Sequence, residues 1–274
     1  MFINNCFENT NNGDYMKILI TGARSGIGYE TALALLKKGH FVYLSVESGE
    51  HLRALKRKEE LKVENAKLLK LDITNEDDRN KVKNLDIDVL VNNAAIGIGG
   101  SLVEASMDKI RKNFEVNFFG TIALSQLFLK RMIKNDKGRI VMISSMISEI
   151  TFPWLGIYAS TKAALNTITT ALGKELKSVN SNVKIVIVEP GLYKTGFNEV
   201  MLDNKYDDEN SVFKDHRKKI YNSEKLKINA FSSHNLKSIV NKIVKAIEDP
   251  NPHFKYRAPF IQKIIQKGYI IINK

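Results

Sequence analysis

A glycine-rich turn between a strand and a helix constrains the fold of this chain more than any other feature. The short apolar run 17–20 leads directly into residues 21–28, TGARSGIG, and a helical pattern follows until Gly39. Glycines let the backbone approach a diphosphate, and a helix start offers free N–H groups and the positive end of its dipole. A tight turn alone would be the alternative, but the flanking strand and helix favour a nucleotide site.

Further apolar runs alternate with helical stretches along the chain. Besides 17–20, strands are predicted at 41–44, 67–71, 89–91, 139–143, 183–188 and 254–257. This alternation predicts a parallel sheet with helices on both faces, so we expect an α/β fold: a doubly wound, Rossmann-like sheet of about seven strands in three layers. Ligands bind such sheets at the carboxyl ends of the strands.

The length of 274 residues suits one α/β domain, which we place at 16–274. Residues 1–15 are polar and asparagine-rich, and we expect a disordered extension there. Residues 196–236 are polar and weakly helical between two strands, which is typical of a substrate lid. The closing segment 259–274 has an apolar helical pattern, which predicts burial against the domain or a second subunit, with a membrane-surface helix as the alternative.

Composition excludes several classes of function. The net charge of +12 raises the possibility of nucleic-acid binding, but the lysines are scattered and no nucleic-acid motif accompanies them, so we expect no nucleic-acid partner. The single cysteine, Cys6, rules out an internal disulfide framework and a cysteine zinc site, and we expect no bound metal. No apolar run reaches about eighteen residues, so we expect no integral membrane segment and a cytoplasmic protein.

The segment 145–162 carries the chemistry. Tyr158 and Lys162 stand four residues apart at the start of a helical pattern, so both side chains lie on one helix face. A cation beside a phenol lowers a pKa that is ordinarily about 10, as a general acid/base near neutral pH requires. Ser145 lies at the end of the preceding strand, where its hydroxyl can hold a substrate oxygen.

Other candidates lie at strand ends, with their roles left open. Glu47 follows the second strand, where it can bond the ribose hydroxyls of NAD, whereas Arg24 in the glycine turn favours the 2′-phosphate of NADP. Asp72 follows the third strand, where it caps the next helix or receives the adenine amine. Asn92 and Asn93 follow the fourth predicted strand, where an asparagine amide can bond the backbone of a neighbouring strand or contact the cofactor. We expect the structural role for Asn92 more than for Asn93.

Asn117 lies where the long helical pattern 107–132 is interrupted. A polar residue among aromatics is usually buried with bonded partners, and the alternative is that it bends the helix and holds a water.

The chain resembles the short-chain dehydrogenase/reductase family over about residues 16–200. The TGxxxGxG turn stands at Thr21, Gly22, Gly26 and Gly28, the NNAG motif at residues 92–95 with Ala95 in place of glycine, the active-site positions at Asn117, Ser145, Tyr158 and Lys162, and the PGxxxT motif at Pro190, Gly191 and Thr195. The region after the sixth strand is similar to the steroid and retinol dehydrogenase-like branch.

The resemblance implies hydride transfer between NAD(P) and an alcohol or ketone substrate, with NAD and NADP both open. It makes Tyr158 the acid/base, Ser145 the ligand of the substrate oxygen, Lys162 the ligand of the nicotinamide ribose, and Asn117 the anchor of a relay water. It also implies a homodimer or homotetramer. The implied cofactor-binding residues are Gly22, Arg24, Ser25, Gly26, Ile27, Gly28, Glu47, Asp72, Ile73, Asn93, Tyr158, Lys162, Pro190, Gly191 and Thr195.

Two other functions compete with the enzyme. A non-catalytic NAD(P)-sensing regulator keeps the same fold, but such proteins usually lose the tyrosine or lysine, which are present here. A sugar-nucleotide epimerase on a related fold is disfavoured by the spacing of the glycine turn and the short carboxyl-terminal part.

Overall fold

The computed structural model describes residues 15–150, 152–203 and 211–257. All but Tyr15 of the expected amino-terminal extension, and the whole carboxyl-terminal segment 259–274, lie outside the described residues. Among the residues that the structure describes, no helix has both the length and the apolar character to cross a bilayer.

A parallel sheet forms the centre of the described chain. Its strands are β1 (Lys17–Ile20), β2 (Phe41–Val46), β3 (Ala66–Lys70), β4 (Val89–Asn92), β5 (Arg139–Ile143), β6 (Lys184–Glu189) and β7 (Lys255–Arg257). Their order is β3-β2-β1-β4-β5-β6-β7, and every described pair is parallel. The order reverses between β1 and β4, so a crevice opens at the carboxyl ends of these two strands.

Helices cover both faces of the sheet, which confirms the predicted three-layer α/β fold. They are α1 (Gly26–Lys37), α2 (Gly49–Lys56), α3 (Glu76–Val82), α4 (Met107–Phe114), α5 (Thr121–Lys134), α6 (Gly156–Ser178), α7 (Phe197–Asp203), α8 (Lys214–Phe231) and α9 (Lys237–Glu248). Leu35 of α1 and Ile243 of α9 belong to the core on one face. Phe128 of α5 and Leu165 of α6 belong to the core on the other.

Several strand ends differ from the prediction by one or two residues. Strand β2 runs on to Val46, which pairs with Lys70 and is fully buried, so Glu47 is the first residue beyond the sheet. Strand β3 begins and ends one residue earlier than predicted. Strand β6 includes Glu189 because it continues to pair with Arg257 of β7.

The interruption predicted in the long helix is a π-helical segment. Residues Glu115–Gly120 join α4 to α5 with this wider turn, and Gly120 lies against the backbone oxygen of Ile73. A Cβ at Gly120 would come within 2.9 Å of that oxygen, so glycine allows the close contact between the helix and the loop after β3.

Candidate active site

A cleft of about 1980 Å³ runs along the carboxyl edge of the sheet, as the topology predicts. Most of the candidate residues line it: Gly22, Arg24, Ser25, Gly26, Ile27, Glu47, Asp72, Ile73, Asn93, Ser145, Tyr158, Lys162, Pro190, Gly191 and Thr195. Gly28 and Asn117 lie behind its wall. The cleft therefore brings the nucleotide candidates and the acid/base candidates together in one site.

The glycine turn is packed so closely that side chains would not fit. A Cβ at Gly22, whose φ is +64°, would lie 2.7 Å from the Cα of Ala94. A Cβ at Gly28 would lie 2.4 Å from the side-chain nitrogen of Asn93. Both glycines let the turn pack against the loop after β4, which leaves the backbone of the turn facing the cleft.

Helix α1 begins at this turn without a side-chain cap. Ser25 stands at the N-cap position, and its hydroxyl makes no capping hydrogen bond; the first turn also carries no acidic residue. The N–H groups at the start of the helix are thus available to an anion in the cleft, together with the positive end of the helix dipole.

The two asparagines after β4 hold the turn and the sheet together. The Asn93 amide donates to the backbone oxygens of Thr21, at 2.9 Å, and Gly22, at 3.0 Å, while its side-chain oxygen is left for the cleft. Asn92 is buried and donates to the Ser125 hydroxyl at 2.8 Å. Asn92 therefore has a structural role, as expected, and Asn93 combines a structural role with a place in the cleft.

Asp72 does not cap the helix that follows it. Its carboxylate accepts hydrogen bonds from the backbone N–H of Thr74, at 2.9 Å, and from the Thr74 hydroxyl, at 2.7 Å. The N-cap of α3 is Asn75, whose side chain accepts from the N–H of Asp78. Of the two alternatives for Asp72, capping is wrong, and the residue lines the cleft beside Ile73.

Arg24 and Glu47 meet through a residue that the sequence reasoning missed. His51, in the first turn of α2, places Nε2 2.6 Å from a guanidinium nitrogen of Arg24 and Nδ1 2.7 Å from Oε1 of Glu47. Arg24, which favours NADP, and Glu47, which favours NAD, therefore belong to one group of contacts linked by His51.

Tyr158 and Lys162 occupy the first turns of α6, and both are nearly fully buried, at 8% and 3% exposure. Lys162 Nζ donates to the backbone oxygen of Ile143, at 3.0 Å, and lies 5.9 Å from the centre of the Tyr158 ring. Burial lowers the pKa of Lys162 to about 8. Burial raises the pKa of Tyr158 well above its ordinary value, against a smaller lowering by its hydrogen bond with the Ser145 side chain.

The expectation of a lowered tyrosine pKa is therefore wrong for the protein alone. The ammonium is directed to a backbone oxygen, so its charge stabilises the phenolate less than burial destabilises it. The shared helix face and the proximity of Ser145 are as expected.

Ser145 lies just beyond the carboxyl end of β5, at the start of a short 3₁₀ turn. Its hydroxyl accepts from the N–H of Ile147 at 3.3 Å, and its backbone oxygen accepts from the Ser148 hydroxyl at 2.7 Å. The N–H of the next residue, Met146, donates to the oxygen of Pro190 at 3.0 Å. These bonds fix the serine turn against the loop that carries Pro190 and Gly191.

Asn117 is fully buried in the π-helical segment and does not reach the cleft surface. Its Oδ1 accepts from the N–H of Ile96 at 2.8 Å. Its Nδ2 donates to the oxygen of Ile96, at 2.9 Å, and lies within bonding distance of the Asn113 and Thr161 side chains. Asn117 thus holds the loop after β4 close to two helices: Asn113 belongs to α4, and Thr161 directly precedes Lys162 on α6.

Thr195 closes the cofactor end of the cleft. Its Cβ would lie 3.0 Å from a Cβ at Gly26, whose φ is +61°, so the threonine packs directly against the glycine turn. A residue with a side chain at position 26 would separate the two loops.

A second group missed from the sequence lies behind the serine turn. Glu189 is 2% exposed, and its carboxylate accepts from Lys255 Nζ and Arg257 Nε, both at 2.9 Å, and from the Asn166 amide at 2.7 Å. The Ser148 hydroxyl lies 3.4 Å from it. We call Glu189 and these four partners the Glu189 cluster; it ties α6, the serine turn and β7 together.

The other end of the cleft carries an apolar wall, although α8 also contributes the polar residues His216, Lys219, Ser223 and Glu224 to the lining. Trp154 packs edge-on against Phe213 with ring centres 5.1 Å apart, and Phe197 lies 5.6 Å from the Tyr158 ring. Both α7 and α8 contribute to this wall, whose apolar members include Ile96, Ile98, Phe152, Val200, Ile220 and Ile228. The described part of the expected lid, 196–203 and 211–236, therefore borders the cleft.

A parallel sheet with an uncapped helix start beside a buried tyrosine and lysine and a half-buried serine is typical of a nucleotide-dependent enzyme. The sequence profile of the short chain dehydrogenase family matches residues 16–205. The chain belongs to this family. The expected class, an oxidoreductase of alcohol and carbonyl groups with an NAD(P) cofactor, is confirmed at that level.

Several relatives resemble the chain over most of its length. The 3-ketodihydrosphingosine reductase of Bacteroides thetaiotaomicron is 30% identical over 259 residues, which cover 92% of this chain and 91% of the relative. The 3-amino-tetrahydro-pyrrolizinone reductase of Xenorhabdus hominickii is 30% identical over 244 residues, or 85% of this chain and 81% of the relative. Estradiol 17-beta-dehydrogenase 2 of Mus musculus is 34% identical over 196 residues, 66% of this chain and 49% of the relative.

Solved structures share the fold. A short-chain dehydrogenase from Streptomyces avermitilis superimposes with a TM-score of 0.76 at 24% identity, covering 94% of this chain and 93% of that one. The structure of ElxO with NADP bound has a TM-score of 0.71 at 27% identity, covering 89% of this chain and 96% of that one.

Proposed function

We propose that the chain is an NAD(P)-dependent oxidoreductase that interconverts an apolar alcohol and its ketone, with Tyr158 as the acid/base. The observation that carries the proposal is the convergence of Tyr158, Ser145 and Lys162 in one cleft between the glycine turn and an apolar wall.

The residues of the turn fit a dinucleotide. Gly22 and Gly28 leave no space for side chains, and the uncapped start of α1 offers N–H groups to a diphosphate. Asp72 and Ile73 flank the adenine, Asn93 lies on the adenosine side, and the loop of Pro190, Gly191 and Thr195 borders the nicotinamide. The nicotinamide supplies the hydride when it is bound.

The chain's own residues supply orientation and the proton. In reduction, Tyr158 donates its phenolic proton to the carbonyl oxygen, and Ser145 bonds the same oxygen and holds it beside the phenol. In oxidation, the phenolate takes the proton back. Lys162 holds the nicotinamide ribose and adds positive charge below the phenol, which favours proton release.

Asn117 is a positioning residue in this proposal. Its hydrogen bonds fix the π-helical segment to the loop after β4, with Asn113 of α4 and Thr161 of α6 also within bonding distance, and the second lone pair of Oδ1 is the one that would accept a hydrogen bond from a relay water.

The substrate is a ketone or alcohol with a large apolar body. The wall formed by Trp154, Phe197 and Phe213 would bury such a body beside Tyr158 and exclude water. The relatives named for 3-ketodihydrosphingosine and for estradiol are consistent with this class. Residues 196–236 act as the lid over it.

We also propose a cytoplasmic homodimer or homotetramer that assembles through the helices bearing Asn117 and Tyr158. Phe119 is 54% exposed on the π-helical segment, and Ile168 is exposed on α6, so both offer apolar surface to a second copy. Light scattering of the purified protein measures the assembly, and a monomer at micromolar concentration would contradict it.

Substitution of Tyr158 by phenylalanine tests the function. The ring still fills its buried position, so we expect NAD(P)H to bind with nearly unchanged affinity while ketone reduction falls by about a hundredfold to ten-thousandfold, since acid/base catalysis contributes about 10²–10⁴. Turnover close to that of the native protein would refute the mechanism. If the native protein binds NAD(P)H but reduces no ketone, the non-catalytic regulator becomes the better reading.

A further inference from the structure

The linked group of Arg24, His51 and Glu47 lies at the end of the cleft that faces the adenosine ribose. Arg24 and Glu47 line the cleft, whereas His51 stands behind them. The Ser48 hydroxyl accepts from the N–H of His51 at 3.1 Å as the N-cap of α2, which fixes the imidazole at the start of that helix.

The contacts of His51 specify where its proton lies. A guanidinium donates hydrogen bonds and cannot accept them, so the Nε2 that meets Arg24 at 2.6 Å is the unprotonated acceptor. In the neutral imidazole the proton is then on Nδ1, which lies 2.7 Å from Glu47 Oε1. One neutral ring thus accepts from the cation, while its other nitrogen lies beside the anion at 2.7 Å without a directed hydrogen bond to it.

This arrangement changes what each charged residue offers a ligand. The carboxylate of Glu47 lies 2.7 Å from the imidazole, a contact that restrains it, and Glu47 by itself would repel a ribose phosphate. Arg24 uses one nitrogen for His51 and keeps its other N–H donors for the cleft, in the planar geometry that suits a phosphate.

We propose that His51 is a positioning residue that sets a preference for NADP(H) over NAD(H), by holding Arg24 toward the 2′-phosphate and restraining Glu47 away from it. The inference rests on the proposed function, because it concerns the cofactor of the same site. It adds a residue that does not itself touch the cofactor.

The test is the affinity of NADPH and NADH, measured by calorimetric titration at one ionic strength, for the native protein and three variants. His51→Gln places an amide oxygen near the Nε2 position, where it accepts from Arg24. His51→Asn places its amide near Nδ1 and leaves Arg24 without an acceptor. His51→Ala removes both contacts.

We expect the native protein and His51→Gln to bind NADPH more tightly than NADH. In His51→Asn and His51→Ala, NADPH should weaken by about tenfold or more, because a hydrogen bond to a charged group contributes about 1.5–3 kcal/mol. NADH should stay within about threefold in all variants, since its ribose has no phosphate for Arg24. The second change Glu47→Gln should recover NADPH affinity in His51→Ala by removing the repelling charge.

Three results would overturn the inference. The first is a native protein that does not favour NADPH. The second is an equal weakening of both nucleotides in His51→Ala, as a merely structural role would give. The third is an NADPH affinity of His51→Asn equal to that of the native protein. In each of these the chain still binds a nicotinamide cofactor, so the proposed function stands. Binding of neither nucleotide by the native protein would overturn the proposed function itself.

Discussion

Replacing Glu189 with glutamine removes the negative charge at the centre of the Glu189 cluster without changing the shape of the side chain. The carboxylate is 2% exposed and accepts from Lys255 and Arg257. A glutamine offers one oxygen in place of two, and its NH₂ group would face a cation or the Asn166 amide. The variant therefore leaves at least one of these partly buried donors without its acceptor.

The expected loss follows from burial and from the remaining partners. Removing one member of a buried ion pair costs about 3–5 kcal/mol. The loss here should be smaller, because Glu149 still contacts Lys255 at 2.9 Å and the Arg257 side chain is 43% exposed, so both cations keep a partner or water. We expect a loss of about 2–3 kcal/mol in the free energy of unfolding.

Thermal and urea unfolding followed by circular dichroism measure this loss. An unfolding entropy of about 2.1 cal/mol/K per residue over 274 residues converts it to a fall of about 4–5 °C in Tm. Glu149→Gln is the matched control: its carboxylate contacts the same two cations but is 40% exposed, so its loss should stay below about 1 kcal/mol.

The comparison of the two variants tests whether burial sets the strength of these ion pairs. Equal losses in Glu189→Gln and Glu149→Gln would refute the reasoning, because burial would then not set the strength of these ion pairs. A loss below about 0.5 kcal/mol for Glu189→Gln, within the usual range of surface changes, would refute it as well.

Three further predictions concern the active site. Burial lowers the pKa of Lys162 to about 8, so between that pH and its ordinary value of about 10.4 the unfolded chain binds more protons than the folded one. The free energy of unfolding of the native protein, measured relative to Lys162→Met, should therefore rise with pH over this window. A fall in this difference with pH would contradict the burial. In a series of 2-alkanones, kcat/KM should rise about threefold to fourfold per methylene until the space along the apolar wall is filled, because each buried methylene contributes about 0.8 kcal/mol. A kcat/KM that does not change with chain length would rule out the apolar substrate class. Gly28→Ala should weaken the affinity for NADPH at least about tenfold, since its Cβ would lie 2.4 Å from the Asn93 amide and displace a hydrogen-bonded side chain. In the control Gly49→Ala the Cβ would meet only Arg53, at 3.7 Å, so this variant should unfold like the native protein.

The central strands were predictable because they are mostly buried and apolar on both sides, as in the fully buried run of β5. Their ends were less predictable, since Val46 and Glu189 belong to the sheet only through neighbours that the local sequence does not reveal. The cap of α3 shifted to Asn75 because Asp72 bonds Thr74 instead.

The residues missed in the site share one cause. Glu189 meets Lys255 and Arg257 across 66 and 68 residues of chain, and His51 meets Arg24 across 27. Such pairs arise from the order of the strands and leave no periodic signal. Tyr158, Ser145 and Lys162 were found because two of them share a helix face and the third ends a strand.

The error about the tyrosine pKa shows what spacing alone leaves out. A shared helix face brings the Lys162 stem beside Tyr158, but the ammonium is bonded to the oxygen of Ile143 and both side chains are buried. Burial disfavours the charged form of each, so the phenol stays protonated while the ammonium is easier to discharge. A protonated phenol is the state that donates a proton to a carbonyl oxygen, so the raised pKa favours the acid role that we propose for Tyr158 in ketone reduction, and the proposed alcohol oxidation would first have to remove that proton.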